Sequence, residues 1–203
     1  TPTPVPTATP TDTPAPTDTP TPAPTPTATA PGVSLREGWN LISLPVAPSS
    51  NDPDALFGPV SDVLVSVYYW DAGAGTWKSY SPLMPPGANT LTHVDERMGM
   101  WVKVIAPKTL TMAGNAPSGT QIPLYVGWNM VGFPASEPRS PEEALSPIAD
   151  KVIAVMAYEA SEWGGTWRRY RPGAPDFVNN LRLLEPGKGY WVLVGEGCTW
   201  EIP

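Results

Sequence analysis

Gly38-Trp39-Asn40-Leu41-Ile42-Ser43-Leu44-Pro45 returns almost unchanged as Gly127-Trp128-Asn129-Met130-Val131-Gly132-Phe133-Pro134, 89 positions later. The segments after the two copies also match, so the chain carries a tandem repeat and the fold is that of one module used twice. Alternation puts Ile42 and Leu44, or Val131 and Phe133, on one face of a strand and Trp39 or Trp128 on the other. Apolar residues on both faces predict a strand buried on both sides, the central strand of each module, closed by a proline that ends the ladder.

Downstream, Asn51-Asp52-Pro53-Asp54-Ala55-Leu56 and Ser140-Pro141-Glu142-Glu143-Ala144-Leu145 each place a capping side chain before a proline suited to the first turn of a helix. Glu143, three residues after Ser140, completes a capping-box pattern. Both helices should be brief, ending near Pro59 and Pro147. The β-branched and aromatic runs 63–70 and 151–158 then lead through glycine turns into Thr76-Trp77-Lys78-Ser79-Tyr80 and Thr166-Trp167-Arg168-Arg169-Tyr170, a hairpin in each repeat. Gly99-Met100-Trp101 and Gly189-Tyr190-Trp191 open a closing strand, and a last short strand lies at 109–112 and 199–202. The fold class predicted is all-β and mainly antiparallel. Two small β-sandwich or barrel-like domains, residues 32–119 and 120–203, each hold one short helix and come after an extended arm, residues 1–31.

The arm is built from Thr, Pro and Ala, with Asp12 and Asp18 as its charges and Val5 as its one large aliphatic residue. It cannot bury enough apolar surface to offset its ordering entropy, and its composition predicts a polyproline II strand. At about 3.1 Å per residue such a strand reaches roughly 90 Å. It reads as a linker or stalk, or as an arm that docks on a neighbouring subunit. Its threonines, Thr1, Thr3, Thr7, Thr9, Thr11, Thr13, Thr17, Thr19, Thr21, Thr25, Thr27 and Thr29, are candidates for O-glycosylation, whereas no Asn-x-Ser/Thr sequon occurs. The start at Thr1, with neither methionine nor a leader, points to a processed chain or a segment of something longer.

Net charge is −7 over 203 residues and no segment is a basic patch, which argues against a nucleic-acid partner. No apolar run reaches the roughly 18 residues that a membrane span needs. One cysteine, Cys198, excludes an internal disulfide, and with the single His93 it cannot build a conventional zinc site. Asp95 with Glu96 is the nearest approach to a paired-carboxylate site, and solvated loop acids explain it better. His93 and Cys198 lack partners that would activate them, so no catalytic residue, cofactor or metal is expected.

Aromatic residues are the more informative candidates. The pairs Trp39 and Trp128, Trp77 and Trp167, Trp101 and Trp191, and Tyr80 and Tyr170 recur at strand positions that suggest core or inter-sheet packing. Tyr68, Tyr69 and Trp70 are consecutive and cannot all face a core; with Trp163 and Trp200 they are candidates for an exposed strip contacting glycan or another subunit, or for a patch between the modules. Arg168, Arg169 and Arg171 form the densest basic cluster, a candidate docking surface for an acidic neighbour, with Arg169 and Arg171 on one face.

The GWN opening, the Trp-x-x-Tyr hairpin and the Gly187-Lys188-Gly189-Tyr190-Trp191 close resemble modules found in secreted and cell-surface proteins of filamentous and thermophilic bacteria, often joined by Thr/Pro-rich linkers. The first repeat departs from that pattern with Arg97-Met98-Gly99-Met100-Trp101. The resemblance implies an extracellular or cell-surface β-module and carries over no catalytic residues. The expectation is a non-catalytic structural protein that self-associates head to tail through arm and modules into a filament, fibre or stalk. A carbohydrate-binding accessory module of a secreted enzyme or adhesin, with a polysaccharide partner, is the alternative.

Overall fold

In a computed structural model the chain is described at Thr1 and over residues 32–85, 87–162 and 164–202. The first repeat runs β1 (Gly32–Leu35), β2 (Gly38–Ile42), β3 (Ala47–Pro48), α1 (Pro53–Phe57), β4 (Leu64–Asp71), β5 (Thr76–Tyr80), β6 (Met100–Val104), β7 (Lys108–Thr111) and β8 (Gly114–Asn115). The second runs β9 (Thr120–Leu124), β10 (Gly127–Gly132), α2 (Pro141–Ala144), β11 (Val152–Ser161), β12 (Gly164–Tyr170), β13 (Gly189–Val194) and β14 (Cys198–Ile202). Over the described residues the fold is mostly β and antiparallel, with two short α-helices.

Each repeat builds a four-stranded antiparallel sheet, β2-β6-β4-β5 in the first and β10-β13-β11-β12 in the second. A two-stranded ribbon, β1 with β7 or β9 with β14, lies across from it. Between the layers sit two separate apolar cores. The first gathers Leu44, Phe57, Val67, Val102 and Leu110, and the second Phe133, Leu145, Val155, Tyr190 and Trp200.

The GWN motif sets the turn from ribbon to sheet. Gly38 and Gly127 have φ of 91° and 101°, a region that suits a residue without Cβ. Asn40 is buried and clamps this turn: its Oδ1 accepts from Arg36 N at 2.9 Å while its Nδ2 donates to Arg36 O at 2.8 Å. Asn129 repeats the clamp on Tyr125 at 2.8 and 2.7 Å. The helices begin as their caps predict. Asp52 accepts from Asp54 N, and Ser140 with Glu143 forms a full capping box. Each then tightens into a 3-10 turn, Gly58–Val60 and Ser146–Ile148.

One expectation is corrected. The GWN strand is not central: β2 and β10 lie at the edges of their sheets, while β6 with β4, and β13 with β11, are internal. Both of its faces carry apolar residues for a different reason. Ile42 and Val131 enter their own cores, whereas Leu41 and Met130 are buried outside both cores, where the two modules meet.

Candidate functional site

The modules join about a pseudo-twofold axis. Ser43 N donates to Gly187 O at 3.0 Å, and its repeat equivalent Gly132 N donates to Arg97 O at 2.8 Å. Single antiparallel bridges pair Ile42 with Lys188 and, reciprocally, Val131 with Met98. Such reciprocity defines an isologous contact, here within one chain. The backbones approach too closely for side chains: a Cβ on Gly99 would lie 2.5 Å from Val131 O, and one on Gly189 would lie 2.6 Å from Ile42 O. The glycines that open the closing strands are therefore interface residues.

The same symmetry orders the aromatic residues. Strand alternation points Trp39, Tyr68, Trp77 and Trp101 away from the first core and Trp128, Tyr158, Trp167 and Trp191 away from the second. These outer faces meet across the axis. Trp77 reaches Trp191 and Trp101 reaches Trp167, with ring centroids 5.9 Å apart in both cases, and Trp101 meets Tyr158 at 5.0 Å. All three pairs are edge-to-face, an arrangement the ring quadrupoles favour. Trp70 adds a polar tie, its Nε1 donating to Trp128 O at 3.1 Å.

The rings do not fill the space between them. Trp39 and Trp128 are each 39% exposed, and Trp77 is 47% exposed. One hollow of about 700 Å3 is lined by Trp39, Tyr68, Trp77, Trp101 and Tyr158. A second, of about 680 Å3, is bounded by Trp70, Trp77, Trp128, Trp167 and Trp191. Trp77 borders both, so they form one aromatic valley in two halves. Each half falls within the roughly 300–1,000 Å3 of small-ligand sites. Along the eight sheet strands, the positions sharing the valley face carry two cations, Lys103 and Arg169, and no carboxylate. Lys103 Nζ stands 5.5 Å from the Trp39 ring centroid, a cation–π contact.

The candidate residues separate accordingly. Tyr68 and Trp70 lie on the valley side, whereas Tyr69 turns inward and packs on the first core. Burial raises Tyr69 to about 12. Trp200 belongs to no exposed strip: it is fully buried, stacks on Phe133 at 6.0 Å and donates Nε1 to Ala144 O at 2.8 Å. Its strand faces the ribbon side of the second core, so the large ring fills that core. Trp163 and residues 2–31, with Thr3, Thr7, Thr9, Thr11, Thr13, Thr17, Thr19, Thr21, Thr25, Thr27 and Thr29, lie outside the described residues; Thr1 is exposed.

Arg168 points away from the valley and pairs with Glu159 at 3.0 Å. Arg169 and Arg171 are exposed, and Arg169 Nε donates to Val178 O at 2.9 Å. Asp95 is buried and tied to Arg97 through that residue's backbone N–H and its guanidinium. This carboxylate closes a loop, stands 3.4 Å from His93 Nε2 and lines the same pocket as Asp71. Cys198 is half-buried, and desolvation pushes its thiol up, away from nucleophilic use. Among the described residues no group of three or more His, Cys, Asp and Glu could hold a metal, and no helix is long and apolar enough to cross a membrane.

Sequence reasoning gave the recurrent aromatic pairs packing between sheets or in the cores. Tyr80 and Tyr170 are indeed buried there, but Trp39, Trp77, Trp101 and their equivalents line the valley. The signal lay in their neighbours two positions away, Ser79 after Trp77 and Lys103 after Trp101, which share the tryptophan face and do not belong in a core. Comparison with known protein families, with curated proteins and with solved structures finds no match for this chain.

Proposed function

We propose that the chain is a non-catalytic structural unit of an extracellular or cell-surface assembly, a filament, fibre or stalk, in which twin β-modules form the body and the Thr/Pro-rich arm bridges neighbouring copies. The aromatic valley carries this reading. Half-exposed tryptophans gathered on one face, without convergent acids and bases, suit the holding of an extended partner better than turnover. The likeness of the GWN and GKGYW stretches to modules of secreted bacterial proteins supports the extracellular placement, and the threonine density of the arm supports O-glycosylation there. Head-to-tail contacts between identical copies extend indefinitely when their rotation does not close a ring. Electron microscopy and light scattering of the native chain test the reading. Open chains of copies are expected, and a strictly monomeric species would remove the filament.

The valley also favours a second reading, a carbohydrate-binding accessory module, because sugar rings stack on tryptophan faces. This reading expects retention on an insoluble polysaccharide that falls when Trp77 is replaced by alanine. A Trp70→Ala change should act more weakly, since that indole is engaged with Trp128 O.

A further inference from the structure

The valley has a lining chemistry that selects among extended partners. Its donors are indole N–H and tyrosine hydroxyl groups set among rings. A polysaccharide can stack its ring faces on tryptophan, but its many hydroxyls also call for polar groups placed to pair with them. Among the described side chains bordering the first hollow none is an amide or a carboxylate. A polyproline II strand presents the opposite surface: stiff pyrrolidine rings that pack between aromatic rings, and solvated backbone carbonyls that accept from indole and phenol donors.

The composition of this chain's own residues 1–31 predicts such a strand. Residues 1–31 hold 11 prolines and 12 threonines. The arm's two charges, Asp12 and Asp18, are both negative, and the two charges on the valley face, Lys103 and Arg169, are both positive. The two aspartates are six positions apart, roughly 19 Å along a strand rising about 3.1 Å per residue. A polyproline II strand of 30 residues spans roughly 90 Å at about 3.1 Å per residue, and proline stiffness opposes its reversal.

We propose that the aromatic valley of one copy holds the Thr/Pro-rich arm of a second copy. This rests on the reading of the valley as the place where a partner is held, and it names that partner. Prolines would sit against Trp39, Trp77 and Trp101 in one half and against Trp128, Trp167 and Trp191 in the other, with Asp12 and Asp18 directed to the rim cations. Because every copy owns one arm and one valley, the contact is heterologous and propagates.

Sedimentation velocity of the full chain over a concentration series, with and without an excess of a free peptide of residues 1–31, tests this. Expected are association that grows with concentration, its reversal by the peptide, and a change in tryptophan emission as the peptide binds. A peptide of equal length and charge with its prolines replaced by alanine should bind at least tenfold more weakly. Trp77→Ala should weaken the native peptide at least tenfold. Lys103→Glu with Arg169→Glu, changes outside both cores, should weaken it several-fold with the near-ultraviolet circular dichroism unchanged.

Equal affinity for the alanine peptide, or peptide binding that neither set of variants alters, overturns the proposal. Copies that assemble but ignore the peptide also overturn it, while leaving the structural role standing. A chain that stays monomeric yet is retained on polysaccharide in a Trp77-dependent way overturns it in favour of a glycan-filled valley. A monomer that binds neither overturns both the arm contact and the function it rests on.

Discussion

Replacing Gly132 by alanine probes the contact between the modules at its tightest point. A Cβ there would lie 2.4 Å from Glu96 O and 2.8 Å from the Ser43 Cβ, its own repeat equivalent across the axis. Carbon and carbonyl oxygen ordinarily approach to about 3.3–3.6 Å, so the Glu96 backbone must retreat by roughly 1 Å. That movement strains the hydrogen bond from Gly132 N to Arg97 O, now 2.8 Å. Overpacking of this kind costs about 1–3 kcal/mol, and a weakened hydrogen bond about 0.5–1.5 kcal/mol. With about 2–4 kcal/mol lost and about 2–4 °C per kcal/mol for a chain of this length, the melting temperature should fall by roughly 4–16 °C. Scanning calorimetry reads the shift, and near-ultraviolet circular dichroism reads the tryptophan packing. Adding Ser43→Gly removes one of the two clashes, so the double variant should be more stable than the sum of the single effects predicts. A Gly132→Ala protein melting within about 1 °C of the parent would refute the close approach, given that scale of about 2–4 °C per kcal/mol.

Asn129→Ala removes a side chain that bonds Tyr125 N, Tyr125 O and Gly127 O, and should cost about 2–4 kcal/mol in denaturant titrations. Trp200→Phe keeps a ring but leaves Ala144 O unpaired inside the second core; a loss of about 1–3 kcal/mol is expected, with the transition midpoint as readout. Burial raises Tyr69 to about 12 and also raises Tyr80, Tyr170 and Tyr190. A folded pKa above the unfolded value of about 10 means that this stability is fully present below pH 10 and is lost as pH climbs through the folded values. Absorbance titration of tyrosinate should accordingly resolve a late group that ionises only with unfolding, and a single transition of all tyrosines near pH 10 would contradict it.

The elements were legible because their signals are local. The Ser140 capping box, the hairpins and the strand alternation are each fixed by residues a few positions apart. The features that escaped depend on a contact between distant repeats. Leu41 opposite Ile42 predicts burial on both sides of the strand, but nothing in the strand says that the second cover is another module. The choice between core and inter-sheet packing for the tryptophans stayed open for the same reason, since a ring half-buried against a neighbouring module and a ring in a core share one residue type. Trp200 erred in the opposite direction. Leu110 occupies its place in the first repeat, and the change suggests surface variation, whereas the second core simply takes a larger filler. The exchange of Ser43 for Gly132 is a difference the axis explains: two equivalent residues face each other, and the gap between them admits one side chain.

Reciprocal packing has a bearing on connectivity. Eight residues, 112–119, carry the chain from the end of β7 to the start of β9, and β14 and β1 are the symmetry equivalents of those two strands. The distance the backbone crosses between repeats is thus matched by the distance from Ile202 to Gly32. A permuted chain, cut within 116–119 and rejoined from 202 to 32 by a link of that length, would thread the same body in the other order. Both ends of the β-body therefore emerge within one short linker's reach of each other, so whatever is tethered to one starts its path near whatever is tethered to the other.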